Sequence, residues 1–88
     1  RIHTDVHNQK YIDLGNKNIV LSEQDAVSLS IAYNELGRIK NNIYDMENNA
    51  SAINYYEQQI NAIAIAIATI TKTNLKDVQS NIETYLSE

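Results

Sequence analysis

The stretch LSIAYNELGRIKNNIYDMENNASAINYYEQQINAIAIAIATI, residues 29–70, decides the fold. With Leu29 at heptad position a, the a residues are Leu29, Leu36, Ile43, Ala50, Glu57 and Ala64, and the d residues are Ala32, Ile39, Met46, Ile53, Ile60 and Ile67. Steps of three and four from Leu29 to Ile53 give the spacing of a helical seam, because side chains so spaced share one face of an α-helix. Asn41–Asn42 and Asn48–Asn49 fall at f and g, so both pairs face outward. A turn at Asn48–Asn49 is compatible with this register but not required by it.

Beyond Ile53 the stripe widens. Tyr56, Ile63 and Ile70 stand at g, and Ala68 and Leu75 at e. Such a face is broader than a two-stranded seam needs, and Ile at d disfavours parallel dimers. The first expectation is therefore a self-associating helix in a homo-oligomer of three or four chains, or one joined by partner helices. Its interface would be Leu29, Leu36, Ile39, Ile43, Met46, Ile53, Tyr56, Ile60, Ile63, Ile67 and Ile70. The alternative is a small bundle made by one chain. Ile60, at d in the densest apolar stretch, is expected to be among the least replaceable residues. Glu57 either points into the seam and fixes its register or yields its place to Tyr56 through a slight rotation of the helix. The g-position isoleucines favour rotation.

The flanks suggest a three-part organisation: a β element over 1–21, a long helix or helical hairpin over 22–72, and a short helix over 73–88. Tyr11–Leu14 and Ile19–Leu21 are β-prone runs around the turn signal Gly15-Asn16-Lys17-Asn18, and predict a hairpin. Arg1–Lys10 is polar and without helical period. Ser22, followed by Glu23 and Asp25, predicts a helix N-cap, since its hydroxyl can take the Asp25 amide and acids suit the first turn. Gly37 falls at an outward b position, where it reads as a weak point of the helix, with a helix end at Gly37 as the alternative. Glu35 and Lys40 stand at g and e, the spacing for an interhelical ion pair in a parallel assembly. The stripe stops at Thr69–Asn74. Asn74 then caps a short amphipathic helix carrying Leu75, Val78, Ile82 and Tyr85 or Leu86.

Tyr44-Asp45-Met46-Glu47-Asn48-Asn49 and Ala52-Ile53-Asn54-Tyr55-Tyr56-Glu57 resemble the end of the first helix and the start of the second helix of a tetratricopeptide repeat. The chain departs from that pattern at Glu47 and Gln59, and no second copy follows. The resemblance implies an adaptor that binds a peptide or a protein.

Composition narrows the function classes. The chain has 88 residues, a net charge of −4, no Cys, no Pro and two Gly. A chain of this length makes one small domain, and a thin core gains from association. The acidic balance gives no attraction to phosphate backbones or anionic lipid, so neither nucleic acid nor membrane is an expected partner. The apolar run Ala62–Ile70 is about half of the roughly 20 residues that a spanning helix needs. Asn and Ile, both with AT-rich codons, are abundant, which suits an AT-rich genome such as that of a low-GC bacterium or its phage. Arg1 in place of Met reads as a fragment or a processed product.

His3, Asp5 and His7 are the one cluster with metal-ligand chemistry. On an extended strand, alternate residues share a face and could converge on zinc or a similar ion. Asn49-Ala50-Ser51 matches a glycosylation sequon and reads as chance. No nucleophile–base order or phosphate loop is visible. The expectation is a mainly α fold and a non-enzymatic structural or assembly protein without a cofactor, such as a segment of a fibre, a stalk, or a viral or phage component. The rival is a self-contained helical adaptor.

Overall fold

The computed structural model describes residues 2–15, 17–43 and 49–88. Strands β1 (Ile2–Thr4), β2 (Lys10–Asp13) and β3 (Asn18–Val20) precede helices α1 (Glu23–Asn41), α2 (Ala50–Thr71) and α3 (Leu75–Ser87). The fold is mainly helical, as expected, but the N-terminal element is a three-stranded antiparallel sheet in the order β1-β2-β3 rather than a hairpin alone. A two-stranded ribbon is marginal in water, and the third strand and the helices behind it supply the missing burial.

Each turn has a local cause. Between β1 and β2, the Asp5 carboxylate accepts from the amides of His7 and Gln9, both at 2.9 Å. The Asn8 amide donates to the Asp5 carbonyl, and Asn8 takes φ 64°. This is the three-residue hairpin loop with a left-handed third residue. At the end of β2, the Asp13 carboxylate accepts from the Gly15 amide at 2.8 Å, and Gly15 sits at φ 90°, a region that glycine enters at no steric cost. Ile2, Ile12 and Ile19 stand opposite one another across the three strands, and this row turns inward, with Ile12 fully buried.

The Ser22 hydroxyl accepts from the Asp25 amide at 3.1 Å and starts α1. Asn49 does the same for α2 by taking the Ala52 amide at 3.2 Å, and Asn74 for α3 by taking the Lys76 amide at 2.8 Å. Helix α2 ends where Lys72 adopts a left-handed conformation, φ 54°, and its amide returns to the Ala68 carbonyl. One continuous helix over 22–72 would run for about 75 Å. The molecule measures 45 × 22 × 22 Å, so α1 and α2 are separate helices packed against each other. Asn49 begins the second of them; Asn48 lies outside the described residues.

Helix α2 packs on both α1 and α3, and the sheet packs on α1. Leu29, Leu36 and Ile39 from α1, Ala64 and Ile67 from α2, and Val78 and Ile82 from α3 form one core with Ile12 of the sheet. Thus the helices that the widened stripe calls for are present within a single chain. Two further expectations change. Gly37 is half-buried beneath α3 rather than outward, because α3 folds back over α1. Glu35 pairs with Arg38 of its own helix at 2.6 Å, and Lys40 lies 3.9 Å from Glu88, so both find partners in the same chain.

Candidate functional site

Leu29, Leu36, Ile39, Ile63 and Ile67 of the expected interface are buried in the intrachain core. Ile43, Tyr56, Ile60 and Ile70 are half-buried against it, and Ile53 is exposed. Met46 lies outside the described residues. At the disputed heptad, Glu57 is exposed and Tyr56 packs on the core, so the helix presents Tyr56 as the rotation reading expects. The physical reason is that α1 ends at Asn41 and a new helix is capped at Asn49. Each helix sets its own phase, and α2 turns Tyr56, Ile60, Ile63 and Ile67 inward. Ile60 is only half-buried, which makes Ile67 the more sensitive position.

The His3, Asp5 and His7 set does not come together. The strand ends at Thr4, Asp5 is occupied by turn amides, and His7 is exposed in the loop. His3 instead stacks on Tyr11, its cross-strand partner, with ring centroids 5.2 Å apart. Among the described residues no group of three or more His, Asp or Glu side chains could hold a metal ion.

The structure assembles a different site. A cleft of about 350 Å³ opens between the sheet, α1 and α3. The sheet contributes His3, Asp13 and Gly15, α1 contributes Tyr33, and α3 contributes Asn81, Thr84, Tyr85 and Glu88. A second hollow of about 270 Å³ shares the walls Tyr33 and Tyr85 and is bounded by Ile2, Ser30 and Asn34. Asp13 owes its place to the turn that its own carboxylate closes through Gly15. Tyr85 lies against α1, where the Lys40 ammonium sits 4.7 Å from its ring centroid. The Tyr33 hydroxyl is buried and has no hydrogen-bond partner. Burial, and then the nearby charge of Asp13, push it up to about 12, since both disfavour the phenolate.

Among the described residues no hydrogen bond links two of the cleft side chains. The cleft offers two carboxylates, an imidazole, two phenol groups, an amide and a hydroxyl. The sequence reading missed this site because its members are spread from position 3 to position 88. The local signals that bear on it are the Asp13-x-Gly15 turn and Tyr33, a polar aromatic beside the buried face of α1.

Fold and site together define a small, mainly helical module with an N-terminal antiparallel sheet and a polar, tyrosine-walled cleft. No family model, curated protein or solved structure matches the chain. Among the described residues no helix is long and apolar enough to cross a membrane.

Proposed function

We propose that the chain is a non-enzymatic assembly protein whose folded unit associates with copies of itself. The interface is not the Leu29–Ile70 stripe, which the core occupies, but the opposite side of α2. The observation that carries this reading is a second seam. Ser51, Tyr55, Gln58, Ala62, Ile65 and Thr69 follow one another in steps of three and four, and all are exposed. Helix α2 has one charged residue, Glu57, in its 22 positions. A helix with a single charge in about six turns and apolar residues on its outer as well as its inner side is suited to a further contact rather than to a free surface. Ile65, 48% exposed, is the largest aliphatic residue of this face. An uncharged face also suits self-contact in a chain of net charge −4, whose charged faces repel one another.

Sedimentation equilibrium of the chain at micromolar concentration tests the reading. The expected result is a mass several times 10.0 kDa that falls to that of one chain in Ile65→Glu, with helicity retained. A clean 10.0 kDa species in the unsubstituted chain overturns it. The second reading, a helical adaptor for a peptide or protein, draws support from the cleft.

A further inference from the structure

We propose that the cleft between the sheet and α3 is a binding site for an organic cation, an ammonium or guanidinium group. The inference stands apart from self-association, because the outer face of α2 contributes nothing to the cleft. Its walls set the carboxylates of Asp13 and Glu88 and the rings of Tyr33 and Tyr85 around about 350 Å³. Carboxylates attract a cation by charge, and phenol rings by the negative face of the π system.

The chain itself displays this chemistry at one edge of the cleft. The Lys40 ammonium is held 4.7 Å from the Tyr85 centroid and 3.9 Å from the Glu88 carboxylate, and both acceptors also line the cavity. At the sheet side, Asp13 has no cationic partner among the described residues; its Oδ1 accepts the Gly15 amide. Tyr33, whose hydroxyl is buried without a hydrogen-bond partner, lines both the cleft and the adjoining hollow. The adjoining hollow, bounded by Ile2, Ser30, Tyr33, Asn34 and Tyr85, continues from the cleft past Tyr33 and Tyr85 and leaves room for the group that carries the charge.

The test is titration of the isotope-labelled chain, followed by amide NMR shifts, with methylguanidinium, with N-acetyl-arginine amide and with neutral methylurea. Saturable shifts centred on Asp13, Gly15, Thr84 and Tyr85 are expected for the two cations. Asp13→Asn, which keeps the Oδ1 acceptor for Gly15, and Glu88→Gln, at an exposed position, should each weaken binding at least fivefold without lowering the melting temperature. Arginine derivative binding tenfold tighter than methylguanidinium assigns the site to a basic peptide side chain; equal affinities assign it to a small free cation. Shifts that stay linear in concentration, an equal response to methylurea, or unchanged affinity in both variants overturn the proposal.

Discussion

Gly37 lies beneath Tyr85: a Cβ placed at position 37 would stand 3.5 Å from the Tyr85 hydroxyl oxygen. That is ordinary van der Waals contact, so the glycine is not required to let α3 approach α1. Its backbone is helical, and no positive φ demands glycine there. Glycine inside a helix costs roughly 0.5–1 kcal/mol relative to alanine through backbone entropy. Gly37→Ala is therefore expected to stabilise the fold by about that amount, seen as a higher melting temperature. A lower one would show that Tyr85 packs closer to α1 than this distance.

Tyr33 links stability to alkaline pH. The folded chain holds its proton up to about pH 12 against an ordinary value of 10.0, so on raising the pH the unfolded chain deprotonates first. The contribution of Tyr33 to stability is thus intact below about pH 10 and is lost as pH rises toward 12. Tyr33→Phe removes both this dependence and an unpaired buried hydroxyl. At pH 7 its stability should equal or exceed that of the parent, because losing an unsatisfied polar group costs little. Melting curves across pH 7–11 check both statements; a Tyr33→Phe protein with the same alkaline decline as the parent would contradict the first, and one clearly less stable at pH 7 the second.

Position 57 and its neighbour separate surface from core. Glu57 is exposed, so Glu57→Ile should change stability by no more than about 0.5 kcal/mol. Tyr56 packs on the core and meets Tyr55 edge-on, with centroids 5.5 Å apart. Tyr56→Ala should cost roughly 2 kcal/mol through lost aromatic burial. Urea unfolding of the pair measures the difference directly, and a large gain from Glu57→Ile would place that residue in a seam after all.

The core predicts an order among the isoleucines of α2. Ile67 is fully buried and Ile60 half-buried. Ile67→Ala should cost about 2–5 kcal/mol, the range for emptying a packed site, and Ile60→Ala clearly less. Equal losses in urea unfolding would mean that Ile60 is covered in solution, as a partner chain would cover it.

What the sequence by itself determined is local. The caps at Ser22 and Asn74, the strands around Gly15, the buried side of α1 through Leu29, Leu36 and Ile39, and the displacement of Glu57 by Tyr56 all follow from neighbours within a few residues. Such spacing acts through short-range hydrogen bonds and helix periodicity. The tertiary structure alone decided that Leu29, Leu36, Ile39, Ile63 and Ile67 of the stripe are covered inside one chain. A heptad pattern states that an apolar face must be covered but not by what, and a turn compatible with the register leaves no trace in it. β1 escaped notice because three residues, Ile2–Thr4, carry too short a period, and their strand is stabilised by pairing with β2. The cleft was equally invisible, since His3, Asp13, Tyr33 and Glu88 meet only after α3 folds back over α1 and the sheet packs against it.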